Sequence, residues 1–141
     1  MIQETQDIFK RKSQNFRSHS LDRAKKLGIP VSSVPMPREF AEWLTLQPIT
    51  IKRKRAYLTC YLTGELVPLA KIELDHRVPI SRGGSFQVFN LGVTDARMNQ
   101  AKSNRTQNEF MELLKLIETW DDGGKSLIAD LRSGQSRRYR F

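Results

Sequence analysis

Cysteine and histidine are scarce in this chain of 141 residues: one cysteine, Cys60, and two histidines, His19 and His76. A single cysteine excludes a disulfide framework, and it cannot build a tetrahedral thiolate zinc site. Long apolar runs are missing as well. No stretch approaches the roughly 20 residues needed to span a bilayer, and the N-terminus is too polar for a signal peptide. The expectation is therefore a cytoplasmic protein with no membrane partner. Acids are outnumbered, 15 Asp+Glu against 24 Lys+Arg, for a net charge of +9. Such a surplus points to nucleic acid or an anionic surface, although charge alone does not choose between them. The length suits one domain with an appendage, and neither repeats nor low-complexity tracts interrupt it.

What is present divides into three parts. Residues 1–50 read as a basic helical N-terminal extension. Its first 27 residues are helical in pattern until Gly28 and Pro30 stop them, with Lys10, Arg11, Lys12, Arg17, Arg23, Lys25 and Lys26 opposed only by Asp22 between positions 10 and 26. Ile8, Phe9, Phe16, Leu21, Ala24 and Leu27 form an imperfect apolar stripe, so this is an amphipathic helix docked on a core, with a basic face suited to phosphate contacts. His19 reads as a surface residue of that helix. Ile29 to Pro37 holds three prolines and reads as a linker, and Arg38 to Leu46 as a short helix with Phe40, Trp43, Leu44 and Leu46 as its apolar side.

Residues 51–120 hold the centre of the chain and its packing helix. The run Lys52, Arg53, Lys54 and Arg55 is a solvated surface or a contact to a phosphate backbone. Tyr57 to Tyr61 and Leu66 to Leu69 read as strands around a Thr63-Gly64-Glu65 turn, with Cys60 as a small buried apolar residue. Thr106 and Glu109 form a capping-box pattern ahead of Phe110, Leu113, Leu114 and Ile117 at helical spacing. Residues 121–141 read as a helix end, a short helix over Ser126 to Leu131 and a basic tail containing Arg137, Arg138, Tyr139 and Arg140.

The chemistry concentrates between Glu73 and Asn104. Asp75 and His76 stand side by side in a strand pattern over Ile72 to Val78. Neighbours in an extended strand point to opposite faces, so this pair cooperates only if the strand ends there. Pro79 and the Ser81-Arg82-Gly83-Gly84 run imply that it does. Asn90 closes the turn-rich loop. Thr94 is expected to cap a helix on which Asp95, Asn99 and Lys102 share a face. An imidazole near neutrality can take a proton from water, Asn99 and Asp75 offer oxygen ligands for a hard cation, and Lys102 and Arg82 are candidates for phosphate contact.

This order of residues, an Asp-His pair, a Gly-rich loop, Phe89-Asn90-Leu91 and then Asn99-x-x-Lys102-Ser103, resembles the HNH nuclease family over roughly Tyr57 to Asn104. The resemblance implies an α+β fold, a ββα-metal core carrying the basic helical N-terminal extension and an added C-terminal helix. It implies Asp75 and Asn99 as metal ligands, His76 as general base and Asn90 as the residue that pins the loop. Asn99 stands where other members carry histidine. The implied cofactor is Mg²⁺, Mn²⁺ or another divalent cation. Many members add two Cys-x-x-Cys knuckles for structural zinc. Here the first position retains only Cys60 and the second, Asp95 to Met98, retains none, so no structural zinc is expected.

The expected activity is metal-dependent endonucleolytic hydrolysis of double-stranded DNA. One copy of the motif implies a nickase, a homodimer or sequential cutting. The other readings are a nucleic-acid-binding module that keeps the fold without catalysis, and a structure-specific nuclease acting on junctions or flaps.

Overall fold

The computed structural model describes residues 2–120 and 123–129. Helix α1 (Ile2–Leu27) leads through a short 3-10 turn at Val31–Ser33 into α2 (Pro37–Thr45). Three short strands follow, β1 (Thr50–Lys52), β2 (Arg55–Thr59) and β3 (Leu66–Pro68), in an antiparallel sheet of that order. A second antiparallel pair, β4 (Ile72–His76) and β5 (Leu91–Asp95), is followed directly by α3 (Ala96–Lys102) and then α4 (Gln107–Trp120). The protein is thus a mixed helix-and-sheet structure. Residues 123–129 are also helical, so the short helix expected from Ser126 starts earlier. Asp121, Leu131 and the basic tail from Ser133 to Phe141 lie outside the described residues.

One core ties α1 and α2 to the strands. Phe9 and Leu44 pack with Leu58, Cys60, Val67, Ile72, Leu74, Val93 and Met98, and α4 contributes Phe110 and Leu114. Burying an apolar side chain of this size contributes about 1.5–3 kcal/mol, so these two residues dock α4. Its start is the expected capping box: Glu109 N–H donates to Thr106 Oγ1 at 3.1 Å, and Thr106 N–H donates to the Glu109 carboxylate at 2.9 Å. A second cluster, Ala24, Val34, Ile80 and Phe86, fastens the C-terminal half of α1 to the loop after β4. α1 is therefore built into the same body as the strands, along most of its length.

Two details differ from the sequence reading. Lys52 to Arg55 form the exposed β1–β2 hairpin end, with Arg53 and Lys54 at φ of 52° and 63°. No strand was expected before Tyr57, because a run of four cations reads as loop. And Asp95, not Thr94, caps α3: its carboxylate accepts the Met98 N–H at 3.0 Å. Thr94 is still in β5, fully buried, with its hydroxyl 3.3 Å from the Cys60 sulfur. The helix begins one residue later than expected, and Asp95 is taken up by the cap.

The β4–β5 register sets Asp75 opposite Gly92 and His76 opposite Leu91. Gly92 is required there by close approach: a Cβ would lie 2.5–2.7 Å from the Tyr61 ring. Gly84 is similarly confined, its Cβ position falling 1.8 Å from the Val78 carbonyl oxygen. Replacing Gly92 by Ala should push the Tyr61 ring out of place and cost about 1–3 kcal/mol, the range for overpacking a tight site. Urea unfolding of Gly92→Ala against wild type measures this, and an unchanged midpoint would show that the ring moves freely.

Candidate active site

β4 stops at His76 because the chain turns through Pro79 into a 3-10 turn at Ile80–Arg82. His76 is the last paired residue of β4, opposite Leu91. Asp75 and His76 both line one cleft of about 530 Å³, which Asn99 of α3 also borders. The expected trio of Asp75, His76 and Asn99 is thus brought together.

Asn90 sits behind them. Its Oδ1 accepts the Val78 N–H at 3.0 Å, and its Nδ2 donates to the Val78 and Ser85 carbonyls at 2.9 Å each. Its own carbonyl accepts the Arg77 N–H at 2.7 Å. One buried amide therefore clamps both ends of the loop that follows His76. Only a planar side chain with both a donor and an acceptor can satisfy these groups together.

Asp75 is held by two donors on one oxygen. The Tyr61 hydroxyl donates to Oδ2 at 2.5 Å, and the Lys102 ammonium lies 3.1 Å from the same atom. Burial and the Asp75 charge push the Tyr61 phenol well above its ordinary pKa, so it remains a donor. The Arg77 guanidinium stacks over the Tyr61 ring at 4.8 Å and donates to Leu91 O and Gln107 Oε1. Asp75 Oδ1 accepts no hydrogen bond among the described residues. The half-buried Asn99 side chain likewise makes none. Two unspent oxygen donors on one cleft fit a hard divalent cation that takes its remaining ligands from water and substrate. Among the described residues there is no group of three or more His, Cys, Asp or Glu that could hold a metal. Any ion here would therefore rest on Asp75 together with the Asn99 amide.

His76 is only 8% exposed, and its Nε2 is buried without a hydrogen-bond partner. The ring lies between Phe16 of α1, at 5.2 Å between centroids, and Phe86 of the loop, edge-on at 5.6 Å. Burial, with Arg23 and Lys102 nearby, lowers its pKa to about 4. The imidazole is therefore neutral at physiological pH, the form that can accept a proton. An orphaned buried nitrogen is costly and marks a position where substrate or water completes the site.

Two expected phosphate ligands are corrected. The Lys102 side chain is 0% exposed; its ammonium is shared between Asp75 Oδ2 and the His76 carbonyl at 3.1 Å, so it faces the protein interior. Arg82 lies outside the cleft and pairs with Glu109 in the first turn of α4. The nearby carboxylate, whose pKa is lowered by the Thr106 backbone and by Arg82, captures the guanidinium. Lys52, Arg53, Lys54 and Arg55 stand exposed on their hairpin, and none of them borders the cleft. Sequence reasoning missed Tyr61, read only as strand, and Phe16, read only as part of an apolar stripe. Neither carries a local signal for its place here. His19 is exposed as expected, yet it borders the cleft.

The low pKa of His76 has a stability consequence of definite sign. A folded value of about 4 against an unfolded value of about 6.5 means that the unfolded chain binds the extra proton between these limits. The contribution is complete above about pH 6.5 and is lost as pH falls towards 4. From about pH 7 to about pH 5 this group alone should remove about 2 kcal/mol of unfolding free energy. Urea titrations of wild type and His76→Gln should differ by that amount in pH sensitivity. Phe16→Ala should move the imidazole titration seen by NMR upward. An unshifted titration near 6.5 in wild type would contradict the burial argument.

No curated protein and no solved structure matches the chain. The family model of the HNH endonucleases matches residues 60–107, about a third of the sequence. That segment begins at Cys60, beside Tyr61, contains Asp75, His76, Asn90 and Asn99, and closes at the first residue of α4. By this match, residues 60–107 are similar to the HNH endonucleases.

Proposed function

We propose that the protein is a metal-dependent DNA endonuclease of the HNH type, and that β4, β5 and α3 form its ββα-metal core. The observation that carries this reading is the meeting of Asp75, His76 and Asn99 on one cleft within the matched segment. A binding module has no use for a neutral buried imidazole beside an unspent carboxylate oxygen.

Asp75 Oδ1 and the Asn99 amide oxygen would hold a divalent cation such as Mg²⁺ or Mn²⁺. When bound, such an ion supplies charge neutralisation at the phosphate and at the departing oxygen. His76 takes a proton from a water molecule, whose oxygen then forms the new bond to phosphorus. The bond from phosphorus to the 3′ oxygen breaks, and that oxygen takes a proton from solvent, leaving 5′-phosphate and 3′-hydroxyl ends. Asn90 holds the loop that fixes the His76 backbone. Tyr61 and Lys102 fix the Asp75 carboxylate through its other oxygen. The basic hairpin end at Lys52 to Arg55 suits backbone contacts outside the cleft. One site hydrolyses one strand, so cutting both strands of a duplex takes two copies of the chain or two successive events.

Cleavage of supercoiled plasmid with Mg²⁺, Mn²⁺ or EDTA tests this. Wild type should produce nicked or linear DNA only with a divalent ion. His76→Ala should lose about a hundredfold or more of that rate, while binding to DNA persists. Cutting by His76→Ala at the wild-type rate would remove His76 as base.

A further inference from the structure

The cleft has a second wall that the HNH segment does not supply. Lys12, Phe16, His19 and Arg23 follow one another on α1 at steps of four, three and four residues, so they lie on one helical face. All four border the cleft that Asn99 also borders. From Lys12 to Arg23 the helix advances about 16 Å, the length of several nucleotides.

The charges on this wall are poorly balanced. Among the described residues no carboxylate lies within ion-pair distance of Lys12, His19 or Arg23. The cleft holds two acids, Glu73 and Asp75. Asp75 is taken by Lys102. Glu73 acts on Lys12, and one of its carboxylate oxygens is buried without a hydrogen bond. Burial and the neighbouring Arg11 already disfavour the charged form of Lys12. Arg23 is different. It is exposed, always charged, and close enough to His76 to act on that imidazole electrostatically. A guanidinium that overlooks a proton-accepting imidazole and lacks an acidic partner is set up for a phosphate, which it can hold through two parallel N–H groups.

We propose that α1 forms the phosphate-binding wall of the cleft, with Arg23 contacting a non-bridging oxygen of the scissile phosphate and His19 the backbone of the same strand alongside it. This rests on the nuclease reading and adds to it. Arg23 becomes a catalytic residue supplied from outside the HNH segment, and the substrate strand runs between α1 and α3. Phe16, one turn before His19 on the same face, packs against the His76 ring.

The test uses the full chain with a fluorescein-labelled DNA duplex. Single-turnover cleavage is measured with Mg²⁺, and binding by anisotropy in EDTA across a salt series. Arg23→Gln should lower the cleavage rate about a hundredfold, the scale for losing one preorganised donor to a transition state. It should also reduce the salt slope of binding by about one. Arg23→Lys should recover part of both. His19→Gln should weaken binding more than it slows cleavage. Lys115→Gln, on the exposed side of α4, is the control and should change neither. Thermal melts of each variant should match wild type, since the Arg23 and His19 side chains are exposed. If wild type cuts DNA and Arg23→Gln stays within twofold of it in both rate and salt slope, the α1 wall is refuted and the nuclease reading stands. If wild type does not cut with Mg²⁺, yet Arg23→Gln still flattens the salt slope, the backbone-binding wall stands and the enzymatic reading falls.

Discussion

A lysine whose ammonium never meets water governs the geometry of this site. Lys102, the last residue of α3, reaches back to the end of β4 and divides its protons between Asp75 Oδ2 and the His76 carbonyl. An unpaired charge in that position would cost several kcal/mol, and removing one partner of such a pair typically costs about 3–5 kcal/mol. The pair therefore fixes the distance between helix and strand. It also decides which carboxylate oxygen is spent. With Oδ2 taken by Lys102 and Tyr61, Oδ1 is the oxygen left for chemistry. Gly92 belongs to the same constraint, because the Tyr61 ring occupies the space a side chain would need opposite Asp75.

The second constraint comes from the N-terminal helix. α1 joins the main core through Phe9 and the loop cluster through Ala24, and between them it lays Phe16 against His76. A segment whose composition suggests a basic arm is thus structural, electrostatic and local to the site at once. The imidazole it covers stays neutral, and two of the cations it carries, Lys12 and Arg23, border the cleft. Under the proposed function, binding charge and proton-accepting chemistry would come from different parts of the chain, the first from α1 and the second from the β4–β5–α3 unit.

Much of this was legible in the residues. Asp75 beside His76, a break at Pro79, and Asn99 with Lys102 on one helical face foretell a shared site. Thr106 and Glu109 foretell the start of α4 to the residue. The loop-pinning role of Asn90 came from the family resemblance, and its bonds to Val78 and Ser85 agree with it. The failures share one physical cause: local pattern does not reveal which distant group a polar side chain meets. Lys102 reads as solvent-facing because lysines seldom are buried; its carboxylate partner lies 27 positions earlier. Arg82 reads as a phosphate clamp until Glu109 is folded beside it. Tyr61 and Phe16 are ordinary apolar positions by period, and only the tertiary packing turns one into an Asp75 donor and the other into the cover of His76. The cap at α3 falls on Asp95 because its carboxylate reaches the Met98 N–H, whereas the Thr94 hydroxyl is turned to the Cys60 sulfur.

The account stands or falls on whether Asp75 and Asn99 present their oxygens to one ion. Mn²⁺ titration by calorimetry, with no DNA present, measures that directly in wild type, Asp75→Asn and Asn99→Ala. Asn99 makes no side-chain hydrogen bond among the described residues, so its truncation leaves the fold intact. The account predicts one Mn²⁺ per chain in wild type, with affinity falling about tenfold or more in each variant. One Mn²⁺ bound with unchanged affinity in both variants would place the ion elsewhere and contradict the account.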